Sequence, residues 1–379
     1  MKYIDSLSGV ELKGKRVFLR TSLNLPLLDD GSVGDLFRLK RGIPTIRFLV
    51  ERGARVIIAG YLGRSGDSMR PVAEELIKAL PEIPVRFFGT DMTHVPREVA
   101  ALRDGECLVL ENMRRCEGEE KKDETFSTFL ASLADVYVSD AFAEAHRDYA
   151  SNVGIASRLP SYAGLLMRDE IEHLNVARMP HAPSFAILGG AKFETKAPLV
   201  AKLLASYDHL FIAGALANDV FRAQGYSAGV SLVSKKIPGN DVLTHPHFIS
   251  PLDATVETHA GHVCVKKPEN VVIDDRIVDT GPYSIAHIAP YIADAQYILW
   301  NGPTGIYERG YTTYTKHIAY MIAQRVSEGA QCVIGGGDTI AAIDASGVDA
   351  STLGFLSTGG GAMLEYLLKG TLPAIEALK

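Results

Sequence analysis

A short β-branched apolar run, ended by glycine or polar residues and followed by a helical stretch, recurs along the whole chain. The first half contains RVFLRTSLN, RVIIAGYLGR, CLVLENMRR and DVYVSDAFAEAHR, and the second half SFAILGGAK, HLFIAGALAND, YILWNGPTG, QCVIGGGDT and LGFLSTGGGA. Amphipathic segments such as TKHIAYMIAQRVSEGA lie between them. Strands that alternate with helices predict βαβ units and parallel sheets. At least nine strands in 379 residues are too many for one small sheet, so we predict two doubly wound α/β domains.

Composition excludes several classes of protein. Hydrophobic residues make up 47% of the chain and charged residues 22%, which is typical of a globular protein and not of a disordered or fibrous one. The formal net charge of -6 argues against a nucleic-acid binder held by a broad basic surface. Any anion site must therefore be a local cluster of basic residues.

The cysteines are scattered, without a C-x-x-C pair or metal-ligand spacing. They are Cys107, Cys116, Cys264 and Cys332. This pattern favours a reduced cytosolic protein over a disulfide framework or a structural zinc site. The N-terminus has no apolar signal-peptide region, and no apolar run approaches the roughly 18 residues of a membrane span. We therefore predict a soluble, cytoplasmic protein.

The joint between the two domains is predicted in the segment SRLPSYAGLLMRDEIEHLNVARMPHAP, where prolines bracket a helical run. A single helix from about Tyr162 to Arg178 would link the domains. This interpretation gives an N-terminal domain of residues 1–160, a linking helix of residues 161–179 and a second domain of residues 180–364. Alternating short strands around THPHFISPLDATVETHAGHVCVKKPENVVIDD predict an elaboration at the edge of the second sheet.

The residues that follow the strands differ between the halves. In open parallel sheets, ligands bind outside the carboxyl ends of the strands. In the first half these positions hold Arg20, Asn24, Arg64, Asn112, Arg114, Asp140, His146 and Arg147. In the second half they hold Gly189, Gly190, Gly214, Gly302, Gly305, Gly335, Gly336, Gly337, Gly359, Gly360 and Gly361. The first domain is thus predicted to bind a small, highly charged anion, and the second a bulky ligand that carries phosphates.

Arginines follow successive strands of the first half. Arg20, Arg64, Arg114 and Arg147 each come after a predicted strand, and Arg38 lies downstream of the first. A lone arginine usually lies on a solvated surface. Several at the same end of parallel strands converge, and converging like charges are costly unless an anion fills the site.

Two glycine turns of the second half lead into helices. In GGGDTIAAID, Asp338 or Thr339 is predicted as the helix cap, and STGGGAMLEYL repeats the strand–glycine–helix pattern. Free N–H groups at such a turn bind phosphate, and Asp338 could hold a magnesium ion that bridges phosphates. An ordinary βα turn remains the alternative. Neither turn matches the Walker or G-x-G-x-x-G pattern.

GGAKFETK places Lys192 and Lys196 four residues apart at a predicted helix start. Two lysines on one side of a helix could neutralise a phosphoryl group during its transfer. Surface lysines at a helix terminus are the alternative.

Together these motifs resemble those of the phosphoglycerate kinase family along essentially the whole chain. The matching stretches, in the order of the family, are KRVFLRTSLNLPL, LFRLKRGIPTI, YLGR, LENMR, SDAFAEAHR, AILGGAK, WNGPTGIYE, GGGDT and STGGGA. The resemblance implies two Rossmann-like domains that face each other across a hinged cleft, with the C-terminal tail, residues 365–379, packing back on the N-terminal domain. It implies reversible, magnesium-dependent phosphoryl transfer between ATP and the carboxylate of 3-phosphoglycerate, giving ADP and 1,3-bisphosphoglycerate, in glycolysis and gluconeogenesis. It also implies a monomer.

The resemblance assigns the site residues. The phosphoglycerate site of the family falls on Ser22, Asn24, Arg38, Tyr61, Arg64, Arg114 and Arg147, with Arg20 beside it. The nucleotide site falls on Gly189, Gly190, Lys192, Lys196, Gly214, Asn301, Pro303, Glu308, Gly336, Gly337, Asp338 and Thr339. Glu308 would bind the ribose, Lys196 the phosphates and Asp338 the metal. The catalytic residues would be Arg38, Lys192, Gly337 and Gly360, with Arg38 and Lys192 flanking the transferred group after hinge closure.

The chain departs from the family pattern at a few positions. Ser22 replaces a usual aspartate, Tyr61 and Tyr149 replace usual histidines, Thr195 replaces a frequent aspartate, and the chain is shorter between Ser231 and Leu252. A carboxylate nucleophile is already ionised at pH 7, so no general base is needed and none is lost. We therefore predict an active kinase with weaker or shifted acceptor affinity. The alternatives are a kinase for a related phosphorylated hydroxy acid and a non-catalytic nucleotide-binding paralogue.

Overall fold

The computed structural model describes residues 1–7, 9–64 and 66–379. The chain divides into two units, of which the first contains Met1–Glu172 together with Thr371–Lys379 and the second contains His173–Gly370. Each unit is built around a parallel β-sheet. The prediction of two doubly wound parallel sheets is confirmed.

The sheet of the first unit has the strand order β3-β4-β2-β1-β5-β6, and the neighbouring strands are parallel. The strands are β1 Arg16–Thr21, β2 Arg55–Ala59, β3 Val85–Phe88, β4 Cys107–Leu110, β5 Val136–Asp140 and β6 Ser161–Ala163. The central strands are buried along nearly their whole length, because helices cover both faces of a parallel sheet. The carboxyl ends of these strands lie at one edge of the sheet. The polar residues that the sequence analysis identified come after these strand ends in the chain.

The helices of this unit lie before, between and after its strands. They are α1 Gly9–Leu12, α2 Phe37–Glu51, α3 Arg70–Ala79, α4 Val95–Ala100, α5 Glu117–Glu120, α6 Glu124–Ser132 and α7 Leu165–Arg178, with the C-terminal helix Pro373–Glu376. A 3-10 turn, Phe142–Glu144, follows β5, and Ala150–Gly154 forms a single π-type turn.

Helix α7 begins at Leu165, whereas the sequence predicted a start near Tyr162. The reason is that Ser161–Ala163 pairs with β5 as the edge strand β6. The first N–H groups of α7 are bound by side chains, since the Leu165 N–H donates to Thr45 Oγ1 at 3.1 Å and the Met167 N–H to Asp140 Oδ1 at 3.1 Å. The change from the first unit to the second falls within α7, after Glu172.

Asp140 is expected to make the stability of the fold depend on pH. Burial raises the pKa of this carboxyl to about 7, so the folded chain keeps a proton that the unfolded chain loses near pH ~4. The free energy of unfolding therefore falls as the pH rises from about 4 to 7, by at most about 4 kcal/mol. In the Asp140→Asn variant, urea unfolding at about pH 5 and pH 8 should show a flatter dependence.

Asp135, the residue before β5, is a control for which the pH dependence of stability has the opposite sign. Its hydrogen bond from Arg16 lowers the pKa of the Asp135 carboxyl, so the stabilisation is present at neutral pH and is lost as the pH falls. Asp135→Asn should therefore reduce stability at pH 8. An Asp140→Asn chain with the pH slope of the wild type would contradict the prediction.

The sheet of the second unit has the order β15-β14-β13-β7-β8-β9, and its neighbouring strands are also parallel. The strands are β7 Ser184–Leu188, β8 His209–Ile212, β9 Phe248–Ile249, β13 Tyr297–Asn301, β14 Gln331–Gly335 and β15 Phe355–Ser357. The helices are α8 Phe193–Ser206, α9 Ala215–Ala223, α10 Asn240–Leu243, α11 Pro282–Asp294, α12 Thr313–Ser327, α13 Gly337–Ala345 and α14 Gly361–Lys369, which makes the C-terminal helix α15.

The short strands after β9 form a sheet of their own. They are β10 Ala254–Glu257, β11 Val263–Lys266 and β12 Arg276–Thr280, paired antiparallel in the order β11-β10-β12. The sequence predicted short strands in this segment, but placing all of them at the edge of the parallel sheet was wrong, because only β9 lies there. The short strand β9 is the one that pairs with β8 there.

All four cysteines are free thiols. Among the residues that the structure describes, none of the helices combines the length and the apolar composition that crossing a membrane requires.

Candidate active site

Strand β1, the start of α2 and the loops after β4 and β5 bring basic side chains together at one edge of the first sheet. We call Arg20, Arg38, Arg114 and Arg147 the arginine cluster. They surround two buried residues: Arg20, Arg38 and Arg114 act on the charge of Glu144, and Arg20, Arg114 and Arg147 act on Tyr61. The fold thus brings four of the predicted arginines together, whereas Arg64, also predicted to converge with them, acts on neither Glu144 nor Tyr61.

Arg20, within β1, is fully buried. Its Nε donates to Ser151 Oγ at 3.0 Å and its Nη1 to the carbonyl oxygen of Thr21 at 2.8 Å. Ser151 is in turn held by the buried Glu119, whose carboxylate accepts from the Ser151 N–H at 3.0 Å. Arg20 Nη2 has no hydrogen-bond partner within the described residues. A buried guanidinium N–H without a partner is costly, so the site fits an incoming anion.

Tyr61 lies close to cationic and aromatic side chains. The guanidinium carbon of Arg114 lies 3.8 Å from the Tyr61 ring centroid, and that of Arg20 lies 5.4 Å away. The Tyr149 ring centroid is 6.5 Å from that of Tyr61. Burial raises the pKa of the Tyr61 hydroxyl, and the nearby arginines oppose that shift. Tyr61 therefore stays a neutral hydroxyl at pH 7, able to donate a hydrogen bond.

Asn24 ties the loop after β1 to its neighbours. Arg38, in the first turn of α2, donates from Nη1 to the carbonyl oxygen of Asn24 at 2.7 Å, and the Gly63 N–H donates to Asn24 Oδ1 at 2.9 Å. Arg64 is held through its backbone, because its N–H donates to Asp67 and its carbonyl oxygen accepts from Asn112. The side chain of Arg64 is exposed, as is that of Arg147.

Glu144 is a site residue that the sequence analysis missed. It ends the 3-10 turn after β5, is 2% exposed, and accepts a hydrogen bond from Ser22 Oγ at 2.8 Å. Its Oε2 lies 3.8 Å from Arg20 Nη1. Burial raises the pKa of the Glu144 carboxyl, while Arg20, the Ser22 hydrogen bond, Arg38 and Arg114 oppose the shift. The available signal was the position of Glu144 in SDAFAEAHR, just beyond a strand end that faces the same edge.

In the second unit, loop backbones approach each other so closely that side chains would not fit. A Cβ atom on Gly189 would lie 2.4 Å from the carbonyl oxygen of Pro303, and one on Gly214 would lie 2.6 Å from that same oxygen. The Gly189 N–H donates to the Asn301 carbonyl oxygen at 2.7 Å. Glycine at these positions lets the loops after β7, β8 and β13 meet, which places backbone groups at the predicted ligand edge.

Asn301 and Thr339 join two of these loops. The Asn301 amide donates to the Gly335 carbonyl oxygen at 2.7 Å, and Thr339 Oγ1 donates to the same oxygen at 2.8 Å. The Gly302 N–H donates to Thr339 Oγ1 at 2.7 Å. Both predicted site residues are buried and hold the turn rather than presenting their side chains to a ligand.

The N-terminus of α13 is open. Its N-cap is Gly336, at φ 95°, so the prediction of Asp338 or Thr339 as the cap was wrong: both lie in the first helical turn. Open space surrounds the position of a Cβ on Gly337, and the same holds for Gly360 in the second glycine turn. These two glycines therefore leave room beside the helix N-termini, which is where free N–H groups can bind a phosphate.

Lys192 and Lys196 occupy different environments. Lys192 precedes α8 as its N-cap, with φ 64°, a conformation that is strained for a residue with a side chain. Its side chain is exposed. Lys196, one turn into α8, donates from Nζ to the Gly189 carbonyl oxygen at 2.5 Å, and burial lowers the pKa of its amine to about 8.

Asp338 and Glu308 lie near Tyr307, which the sequence analysis did not single out. Burial raises the pKa of the Tyr307 hydroxyl, and the charges of Asp338 and Glu308 raise it further. The described residues contain no group of three or more potential metal ligands of the His, Cys, Asp or Glu type. The donor set at Asp338, a single exposed carboxylate, fits a magnesium ion that takes its remaining ligands from phosphates and water.

The chain is similar to known proteins along nearly its whole length. A family model described as phosphoglycerate kinase matches residues 7–370. The chain belongs to the phosphoglycerate kinase family. Two curated phosphoglycerate kinases illustrate the similarity: that of Bradyrhizobium diazoefficiens is 38% identical over 99% of this chain and 98% of the relative. The enzyme of Methylobacterium radiotolerans is 40% identical over 97% of this chain and 96% of the relative.

Solved structures of phosphoglycerate kinases share the fold. The structure from Coxiella burnetii matches with a TM-score of 0.81 and 33% identity over 99% of this chain and 98% of that one. The structure from Pyrococcus horikoshii matches with a TM-score of 0.84 and 28% identity over 100% and 98%. The resemblance to phosphoglycerate kinase drawn from the sequence is confirmed.

Proposed function

We propose that this chain catalyses the reversible transfer of a phosphoryl group between ATP and the carboxylate of 3-phosphoglycerate, giving ADP and 1,3-bisphosphoglycerate. Family membership supports the activity. The structural observation that supports it most is that the two sheets present different groups at their carboxyl ends. One carries a buried, incompletely paired arginine within a cluster of like charges, and the other carries glycine turns with two lysines.

We assign the acceptor to the first unit. The phosphate and the carboxylate of the acceptor would be bound by the arginine cluster together with Tyr61, whose neutral hydroxyl donates a hydrogen bond. Arg64 and Asn24 would complete the site. Charge-assisted hydrogen bonds from several arginines are the strongest available to a small anion, and bidentate geometry makes them selective for carboxylate and phosphate.

We assign the nucleotide to the second unit. The glycine turns at Gly189, Gly214 and Gly336 would admit its phosphates to the backbone, and Glu308 would hold the ribose. Lys196 would contact the phosphates. Asp338 would hold the magnesium ion, which supplies charge neutralisation between the phosphate oxygens when it is bound.

The transfer itself needs no proton acceptor, because the acceptor carboxylate is ionised at pH 7. The step then depends on alignment and on neutralisation of the charge of the transferred group. We assign that role to Arg38 and Lys192, with the backbone N–H groups of Gly337 and Gly360. We further propose that the enzyme works in the cytoplasm as a monomer.

A coupled assay of ATP- and magnesium-dependent phosphorylation of 3-phosphoglycerate tests this proposal. Robust turnover by the purified chain is the expected result. Binding of ATP without turnover would favour a non-catalytic nucleotide-binding role, and turnover with another phosphorylated hydroxy acid alone would favour a different acceptor. Asp338→Asn should weaken the magnesium dependence, and an unchanged magnesium titration would refute its role as a ligand.

The pKa of Lys196 predicts a pH dependence of nucleotide binding. Because burial lowers this pKa to about 8, the amine is charged at pH 7 and loses its charge as the pH rises towards 9. Loss of one charge-assisted hydrogen bond should weaken ADP binding by about tenfold over this range. Titration calorimetry from pH 7 to 9 measures the effect.

Lys196→Arg is the matched variant, because its guanidinium stays charged throughout this range. The affinity of the Lys196→Arg chain for ADP should therefore depend less on pH. Equal pH dependence in both proteins would rule out Lys196 as the titrating group.

A further inference from the structure

We propose that Ser234 and Asp219 are positioning residues that fix the backbone after Lys192 and thereby orient its amine for the transfer step. This inference rests on the proposed function, because it concerns the lysine assigned to the transferred phosphoryl group. It goes further by giving the control of that lysine to two buried side chains that the sequence analysis did not single out.

The peptide unit between Lys192 and Phe193 is held at both of its polar groups. The Phe193 N–H, at the first residue of α8, donates to Ser234 Oγ at 2.7 Å. The Lys192 carbonyl oxygen accepts from the Thr195 N–H at 3.1 Å and from Thr195 Oγ1 at 2.8 Å. Because a peptide unit is planar, partners at both groups fix its orientation and, with it, the ψ angle of Lys192.

The backbone of Lys192 needs such partners. It has φ 64° and ψ 73°, in the left-handed region, which a residue with a side chain keeps only where its surroundings hold it there. Among the described residues of the second unit, Lys192 is the only one other than glycine with a positive φ. The direction in which its side chain leaves the backbone follows from these angles, so relaxation to the right-handed or extended region would turn the amine away.

Asp219 determines which way the Ser234 hydroxyl points. A serine hydroxyl has one hydrogen to donate and lone pairs that accept. Ser234 Oγ donates its hydrogen to Asp219 Oδ2 at 2.6 Å, which leaves the lone pairs for the Phe193 N–H. Asp219 Oδ1 accepts from the Ser234 N–H at 2.7 Å, so the carboxylate holds the serine at two points. Asp219 is 1% exposed and Ser234 9%, so little water competes for these bonds.

Helix α9 anchors the pair. Asp219 lies in this helix, and its neighbour Asn218 donates from Nδ2 to the Leu232 carbonyl oxygen at 2.9 Å. That bond ties the segment before Ser234 to the same helix. The position of Lys192, in the loop after β7, is thus set by the helix that follows β8.

The first test is Ser234→Ala, with kcat and KM for ATP measured in the coupled assay and the affinity for ADP measured by calorimetry. The Phe193 N–H loses its partner, so we expect the backbone of Lys192 to relax and kcat to fall by about tenfold to 10²-fold. KM for ATP and the affinity for ADP should change by less than about twofold, because the lost interaction serves the transition state and the groups assigned to the phosphates remain.

Two further variants assign the effect to the hydroxyl and its direction. Ser234→Thr keeps a hydroxyl at this position and should retain most of kcat. Asp219→Asn keeps an acceptor for the Ser234 N–H but offers the hydroxyl a donor, so the serine hydrogen is no longer held away from the Phe193 N–H. In this variant kcat should also fall, by less than in Ser234→Ala, and it carries the test if Ser234→Ala does not fold.

Ser284 is the matched control, because it makes the same kind of contact elsewhere in the second unit. Its Oγ donates to Asp253 Oδ1 at 2.7 Å and accepts from the Leu252 N–H at 2.9 Å, and it is fully buried. Ser284→Ala should therefore lose a similar amount of stability in urea unfolding and keep the wild-type kcat. An equal fall of kcat in Ser284→Ala and Ser234→Ala would show that lost stability lowers the rate, and would overturn the inference.

The Lys192→Ala background shows whether the pair acts through the lysine. There Ser234→Ala should lower the residual turnover by less than about twofold, because the group that it positions is already absent. The same loss of kcat with and without the lysine side chain would contradict the inference.

The outcomes separate this inference from the proposed function. Unchanged kcat in both Ser234→Ala and Asp219→Asn, with a wild type that phosphorylates 3-phosphoglycerate, would overturn the inference alone. A wild type that neither binds nor phosphorylates 3-phosphoglycerate would refute the proposed function and this inference with it.

Discussion

Replacing Lys192 by glycine should make the protein more stable and nearly inactive. Lys192 holds a left-handed backbone conformation, at φ 64°, which costs a residue with a side chain about 1–2 kcal/mol and costs glycine almost nothing. Glycine also has more backbone entropy in the unfolded chain, so we expect a net gain of at most about 1 kcal/mol. The same change removes the amine assigned to the transferred phosphoryl group, and kcat should fall by about 10²–10³ or more.

Lys122 provides the matched control. It has the same type of backbone conformation, at φ 49°, but lies in a surface turn, where Nζ pairs with the exposed Asp148. That ion pair contributes little in water. Lys122→Gly should therefore stabilise by a similar amount and leave turnover unchanged. Urea unfolding and the coupled assay measure the two effects, and full activity in Lys192→Gly would remove this lysine from the mechanism.

Replacing Arg38 by alanine should abolish most of the turnover and leave nucleotide binding intact. Arg38 belongs to the first unit, where its Nη1 donates to the Asn24 carbonyl oxygen and its charge acts on Glu144. The residues that we propose for nucleotide binding belong to the second unit. Loss of a guanidinium that neutralises a phosphoryl group in the transition state costs about 10³-fold or more in kcat. Calorimetric titration with ADP should give the wild-type affinity.

Arg47, on the same helix α2, is the control for this change. Its side chain is partly exposed and pairs with Glu82 at the surface, so Arg47→Ala should keep both turnover and ADP binding. If the Arg38→Ala chain turns over at near the wild-type rate, Arg38 has no role in the transfer step. If instead it loses affinity for ADP, its assignment to the acceptor side is wrong.

Much of the fold followed from the sequence because its cause is local. Apolar runs that end in glycine or polar residues predict parallel strands, and the carboxyl ends of such strands meet at one edge whatever the details of packing. That geometry is why Arg20 and Arg114 could be placed together from the sequence. The glycine turns around Gly189 and Gly336 could be predicted for the same reason.

The rest depends on contacts between residues that are distant in the chain. Ser22 and Glu144 are 122 positions apart, and their hydrogen bond depends on the paths of two loops that no periodicity describes. The conformation of Lys192 is set by packing of the loop after β7, so the residue type alone did not reveal it. The prediction of the helix cap of α13 was wrong because Gly336 occupies the N-cap position with a positive φ, a conformation that glycine adopts more readily than other residues.

The membership of Thr371–Lys379 in the first unit has a consequence for protein synthesis. Helix α15 contacts the Ala150–Gly154 turn, and the Ala374 N–H donates to the carbonyl oxygen of Ala145, next to Glu144. A ribosome makes these residues only after it has made the whole of the second unit. The first unit of a nascent chain is therefore incomplete until residues 371–379 have emerged, although most of its residues emerge much earlier. The turn that carries Glu144 gains the contact from Ala374 only at that point.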